Sequence, residues 1–478
     1  MRPFDFQNRF SRNLLVLLVV CTFIVVSVSK SKNKEKDSRE CKRNNGDDDD
    51  DDDSKTLSGD KLLNYLSSKG PYRFDGKNDK QEEYLPFKEC KATKIWYFGR
   101  HGTRNPGKKD TIRMEKLLPS IRDKIVSAHD ACQGQLSKKQ VKKLKEWAMT
   151  EDVTLENESN LVKQGAKELI GIGKRYRKRF PHLFHNDSSP KIHIKSTKSQ
   201  RTIASSLAFA QGAFDKSASD VSETIFDPPI KSDPVLKFYE NCQKWAEQVD
   251  DNPSAYSELT NFESSTIMNH TISQVSDKLG FIDEGLTLEE VTIIYTTCAF
   301  ETAWKNGKAS AWCAAFSKED LQVMAYREDL EYFWKDGYGH EVNYEQACVP
   351  IQDLLEYFRN KTHMTTVRAY FSHSGATLKM IARLGLFEDK ISLTSAGFRE
   401  VKNSYKWRTS LIDMMGTNLA FTLYECKNRP DPEIGFFFQE KPTKISGCDN
   451  KWHCPFNQFQ DALSNKIGNC DFNMTCSL

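Results

Sequence analysis

The chain has 478 residues, of which 38% are hydrophobic and 28% charged, with 69 basic against 66 acidic side chains. That length can bury a large core, as one large domain or as a core carrying an inserted cap. A net charge of +3 gives no bulk argument for a nucleic-acid or membrane-surface partner, and none is expected.

Arg2, Arg9 and Arg12 precede the apolar run Leu14 to Val28, and Ser27-Val28-Ser29 supplies a small-x-small cleavage pattern. As a helix the run spans roughly 22 Å, short of the ~30 Å hydrocarbon core. Residues 1–29 therefore read as a signal peptide, with an uncleaved signal anchor as the alternative. No later segment approaches a membrane span, so the remainder is expected to be secreted or extracellular. The alternatives are the lumen of the endoplasmic reticulum, or membrane attachment through an uncleaved leader. The terminal Thr475-Cys476-Ser477-Leu478 is not a retrieval signal, which favours secretion.

Cysteine usage agrees. Of 13 cysteines, Cys21 lies in the apolar run, and removal of the leader leaves an even set suited to disulfides. Cys448, Cys454, Cys470 and Cys476 crowd the C-terminal stretch, and no paired CxxC spacing supports zinc. Asn157, Asn186, Asn269, Asn360 and Asn473 each open an N-x-Ser/Thr sequon, consistent with a glycoprotein.

Residues 30–60 are expected to be a disordered charged leader, since the run Asp47 to Asp53 repels itself and has nothing to bury. Thereafter one grammar recurs: a short apolar run, a polar turn, then a helix. The first unit is a strand over 94–98, ending in Arg100-His101, with a helix over 110–126. The second is a strand over 191–195 and a helix over 201–212. The third is a strand over 366–371, then His373 and a helix over 376–384 stopped by Gly385. A fourth apolar run, 418–424, reads as a further strand. Strands alternating with helices predict an α/β fold with a mostly parallel sheet flanked by helices. The stretch 216–360 is mainly helical in pattern, with Ser317 placed to cap one helix and Pro350 in the first turn of another. The expected organisation is a core over 61–215 and 361–430, a helical cap insertion over 216–360, and a cysteine-rich tail over 431–478.

Arg100-His101-Gly102-Thr103-Arg104 carries the most chemistry. Two guanidiniums bracketing an imidazole at the C-terminal end of a strand suit the capture of a phosphate. With Asn105-Pro106 following, this motif resembles the signature of the histidine phosphatase superfamily, in its acid-phosphatase branch and nearest the multiple inositol polyphosphate phosphatases. Arg201-Thr202-Ile203-Ala204-Ser205-Ser206 and Thr297-Cys298-Ala299-Phe300-Glu301 are further family-like phrases, and the similarity extends from about Lys61 to about Cys426. The resemblance implies a histidine-phosphatase-like core and a disulfide from Cys90 to a late cysteine such as Cys426. It also implies a phosphomonoesterase in which His101 is the nucleophile, Arg100, Arg104 and Arg201 bind phosphate, and His373 assists. No metal or other cofactor is called for, because guanidiniums supply the positive charge.

Lys108, Lys109, Lys195 and Lys198 flank these motifs and would form a rim suited to a small polyanion such as an inositol polyphosphate, with 2,3-bisphosphoglycerate as a further candidate. His193 alternates within a strand and reads as structural. One departure stands out. The family places a carboxylate one or two residues after the second histidine, whereas this chain has His373-Ser374-Gly375. The proton for the leaving oxygen must then come from elsewhere, with Glu388 and Asp389 as candidates, or from the substrate. Failing both, the chain would bind its ligand and turn it over slowly or not at all.

Overall fold

In the computed structural model, which describes residues 57–478 apart from 75–83, 186, 189–190, 363, 428 and 468–469, the signature follows the central strand of the sheet. The signal segment and almost all of the charged leader lie outside the described residues. The strands are β1 (Cys90–Arg100), β2 (Ile192–Ser196), β3 (Val367–Ser372), β4 (Asn418–Cys426), β5 (Glu433–Phe438), β6 (Lys441–Pro442) and β7 (His453–Pro455). Their spatial order is β2-β3-β1-β4-β5-β6, with β7 on β5. β1, β2 and β3 are parallel, and the other pairings are antiparallel.

The sheet is therefore mixed. The long helical segments before β2 and β3 carry the chain back to run parallel to β1, whereas β4 enters antiparallel beside β1 and the few residues between Cys426 and Glu433 allow only a hairpin to β5. The main helices are α1 (Lys108–Asp130), α2 (Lys163–Arg179), α3 (Gln200–Phe214), α4 (Leu288–Trp304), α5 (Lys318–Asp336), α6 (Cys348–Arg359) and α7 (Ser374–Arg383). Among the described residues no helix is long and apolar enough to cross a membrane.

β1 reads as a continuous apolar run because both of its faces are covered. Trp96 and Phe98 point into a core shared with α1, α4 and α5, while Ile95 and Tyr97 point into a second core with α2 and α3. Most apolar side chains of the helical stretch 216–360 join the first of these cores, while Cys242, Trp245, Val249, Ala255 and Val342 form a small separate cluster with Cys476. Capping follows the sequence closely. Ser317 accepts from the backbone N–H of Asp320 in a reciprocal capping box, and Gly385 takes the left-handed conformation after α7 at φ 70°.

Five disulfides join described cysteines. Cys90–Cys426 staples β1 to β4 at facing positions, as the resemblance implies. Cys298–Cys313 and Cys448–Cys454 are local, whereas Cys242–Cys476 and Cys348–Cys470 tie the C-terminal stretch to the helical segment. Two of the four crowded C-terminal cysteines, Cys470 and Cys476, thus act as long-range anchors, closing long loops for which chain-entropy arguments give a large effect.

Candidate active site

The parallel register brings Arg100 beside Ser372, so the chain following β1 and the chain following β3 leave the sheet together. The backbone N–H of His101 donates to Ser372 O at 3.1 Å, and Gly416 N–H donates to His101 O at 2.9 Å. His101 is thereby clamped between the ends of β3 and β4. Its Nδ1–H donates to Gly102 O at 2.9 Å, which leaves the lone pair on Nε2. Burial, then Arg100, Arg201, Arg104 and His373, hold its pKa well below the ordinary histidine value. The ring is neutral, the form a nucleophile needs.

His373 faces His101 with ring centroids 5.7 Å apart. Its Nδ1 accepts from Arg201 Nη2 at 3.2 Å, so Nε2–H donates to Thr197 Oγ1 at 2.9 Å. Burial, then Arg201, Lys237, Arg104 and Arg100, depress its pKa as well. Arg100 Nη1 donates to Ser68 O at 2.8 Å and to the carboxylate of Asp413 at 3.1 Å. Arg104 Nη1 donates to Asn105 O at 2.6 Å, and its guanidinium lies over the Phe300 ring. Burial, then Arg201 and Arg100, push Arg104 down to about 10. The Nε–H groups of Arg100, Arg104 and Arg201 are all buried and have no hydrogen-bond partner among the described residues. Three unpaired buried donors around one imidazole are costly unless an oxyanion completes them.

The four rim lysines divide. Lys108 and Lys109 are exposed in the first turn of α1, and Lys198 is exposed in the turn before α3. Lys195 does not belong with them. It pairs at 2.7 Å with Asp233, which is fully buried and would otherwise carry an uncompensated charge. Asp389 is likewise set aside as a proton donor, while the Glu388 side chain is exposed. Asp389 accepts from the backbone N–H groups of Lys406 and Trp407, and Lys406 Nζ donates to Glu388 O. Asn157, Asn269 and Asn473 are exposed and Asn360 is half-buried, while Asn186 lies outside the described residues. His193 lies 3.4 Å from Asp227 on the outer strand β2.

Two carboxylates that the sequence pattern did not flag hold the signature in place. Asp413 receives Arg100, Ser374 Oγ and Thr377 Oγ1. Glu168, on α2, accepts from the backbone N–H and the hydroxyl of Thr103 at 2.9 and 2.8 Å. Burial nevertheless pushes Glu168 up to about 7. A carboxyl raised in the folded state keeps a proton that the unfolded chain releases, so it lowers stability as pH rises from about 4.5 to about 7. Glu168→Gln is expected to gain on the wild type by up to about 3 kcal/mol between pH 5 and pH 8. Denaturant unfolding of both proteins at the two pH values measures the difference, and a constant offset would contradict it.

A neutral histidine set among guanidiniums, at the C-terminal edge of parallel strands flanked by helices, defines a phosphatase of the histidine type. The chain belongs to the histidine phosphatase superfamily (branch 2), whose family model matches residues 98–439. It is 31% identical over 392 residues to multiple inositol polyphosphate phosphatase 1 of Drosophila melanogaster, covering 80% of this chain and 81% of that protein. To the human protein of the same name it is 26% identical over 363 residues, covering 73% and 74%. Among solved structures, the phytase from D. castellii superposes with a TM-score of 0.67 at 17% identity, covering 87% of each chain. The phosphate complex of Bifidobacterium longum multiple inositol polyphosphate phosphatase gives 0.66 at 17% identity, covering 84% of this chain and 98% of that one. At these identities the superpositions show the fold alone.

Proposed function

We propose that this chain is a secreted phosphomonoesterase of inositol polyphosphates, hexakisphosphate and lower, acting through a phosphohistidine on His101. The observation that carries the proposal is the neutral His101, with its lone pair on Nε2, among the three unpaired buried arginine donors. In the first half-reaction Nε2 attacks phosphorus in line, while Arg100, Arg104 and Arg201 neutralise the non-bridging oxygens. His373 donates to another of those oxygens when substrate displaces Thr197 from its Nε2–H. Water then cleaves the phosphohistidine. The exposed Lys108, Lys109 and Lys198 suit a substrate with several phosphates, as do the names of the curated relatives. 2,3-Bisphosphoglycerate is a further candidate substrate, and the signal-like leader and sequons support passage through the secretory pathway.

Purified protein incubated with inositol hexakisphosphate is expected to release inorganic phosphate, and His101→Ala is expected to abolish the release. Equal rates in the two proteins would overturn the proposal. The absence of an acid at positions 374 and 375 motivates the second reading, capture with little turnover. Calorimetry showing micromolar binding without phosphate release would select it.

A further inference from the structure

Breaking the phosphate ester leaves an alkoxide, and an alkoxide departs slowly unless a positioned acid protonates it. Ser374 and Gly375, the residues after His373, provide no such acid. The contacts of the first turn of α7 identify two carboxylates beside it. Asp413 is fully buried, with its oxygens engaged by Arg100, Ser374 and Thr377. It is the counter-ion that holds Arg100. Asp336, the last residue of α5, is placed differently. Its Oδ1 lies 3.1 Å from where a Cβ on Gly375 would stand, so its carboxylate fills the space that a side chain at 375 would enter. That space opens into a cavity of about 380 Å³, whose lining includes Tyr239, Trp245, Lys335, Asp336 and Gly375. Gly375 lies in the first turn of α7, two residues after His373 at its N-cap, so the carboxylate stands against the turn that follows the second histidine.

Behind Asp336 stands Lys379. Its ammonium is fully buried on α7, paired with Asp336 Oδ1 and held 4.1 Å from the centre of the Trp245 ring. Among the described residues Oδ2 makes no hydrogen bond. Burial makes Lys379 a weaker base than an ordinary lysine. A buried lysine backing a carboxylate at the mouth of a cavity is a proton store with one exit.

We propose that Asp336, resupplied by Lys379, is the catalytic acid of this enzyme, delivered from α5 across Gly375. This rests on the phosphohistidine mechanism proposed above. As Nε2 of His101 forms the N–P bond, the P–O bond to the alcohol breaks and its electron pair moves onto the leaving oxygen. The Lys379 ammonium passes a proton to the Asp336 carboxylate, and the carboxyl so formed hands it to that oxygen. The products are the phosphohistidine, the alcohol, a carboxylate and a neutral lysine. In the second half-reaction water attacks phosphorus, its proton passes through Asp336 back to Lys379, and the N–P electron pair returns to Nε2.

Leaving groups separate this role from a structural one. The nitrophenolate of p-nitrophenyl phosphate departs without protonation, whereas the alkoxide of inositol hexakisphosphate does not. Asp336→Asn is expected to lower kcat on inositol hexakisphosphate by about 10²–10⁴ while changing p-nitrophenyl phosphate turnover less than about tenfold. Because Asp336→Asn leaves a buried ammonium unpaired, Asp336→Asn combined with Lys379→Met provides a second variant without that charge. The same selective loss is expected there. Equal losses on both esters in the double variant, or undiminished hydrolysis of inositol hexakisphosphate, would overturn the assignment. His101→Ala is the separate control. If it keeps phosphate release, the phosphohistidine mechanism fails; if it loses both esters while Asp336→Asn loses neither, only the acid is wrong.

Discussion

Asp413→Ala is expected to lose phosphate release from alkyl and aryl esters alike and to unfold with about 3–5 kcal/mol less free energy than the wild type. Asp413 is fully buried and pairs with Arg100, itself only 2% exposed, through both its carboxylate and its backbone oxygen. The same carboxylate takes the hydroxyls of Ser374 and Thr377, so it joins the signature to the first turn of α7. Removing it strands a guanidinium in a low-dielectric site and frees two helix hydroxyls at once. Burial already pushes Asp413 up to about 6, against the pull of Arg100. Asp413→Asn keeps the shape and an acceptor oxygen but leaves the Arg100 charge unpaired, so its cost should fall between those of the wild type and alanine. Thermal melts combined with assays on inositol hexakisphosphate and p-nitrophenyl phosphate give the readout. A loss confined to the alkyl ester would assign to Asp413 the role proposed here for Asp336.

The contrast between these two aspartates shows what the sequence could reveal. Arg100, His101, Arg201 and His373 were legible because each lies at or just after the end of a parallel strand, or in the helix that follows. A strand buried on both faces announces itself as an apolar run. The geometry of three such units then fixes where their ends meet. Asp413, Glu168 and Asp336 carry no such mark. They reach the site from elements 313, 65 and 43 positions away from the residues they hold, and an acidic residue in a helix or loop looks the same whether it is solvated or buried. Lys195 misled for the converse reason. Its place in a strand beside the motif suggested a rim, while the buried Asp233 that neutralises it lies 38 residues later in a loop with no distinctive pattern. The antiparallel half of the sheet was not legible, since an apolar run such as 418–424 specifies a strand without specifying its direction.

The signature also depends on a glycine outside it. A Cβ on Gly165, in the first turn of α2, would stand 2.1 Å from Thr103 O and 2.6 Å from Thr103 N, both backbone atoms of the signature. Reciprocally, a Cβ on Gly102 would meet Gly165 O at 2.6 Å. Neither glycine adopts a positive φ, so what each supplies is close approach rather than an unusual conformation. Backbone on both sides leaves nothing flexible to yield, and Thr103 is held further by Glu168 from the same helix. Gly165→Ala must therefore push α2 and the signature apart. Overpacking of this kind costs about 1–3 kcal/mol or more. A displacement of about 1 Å at His101 would cost on the order of 10²-fold in turnover. Gly171→Ala, on the same helix, is the matched control. Its new Cβ would meet only Arg175 Nη1 at 3.1 Å, a terminal atom outside the fork that Nε and Nη2 make with Glu440, so a shift of a few tenths of an ångström relieves it. That variant is expected to melt at or above the wild-type temperature, because alanine favours a helix over glycine by about 1 kcal/mol. If both variants keep full phosphate release, the tight contact between α2 and the signature does not position His101. If only Gly165→Ala loses it, the rigidity of the catalytic loop comes from the second layer of helix as much as from the strand that carries it.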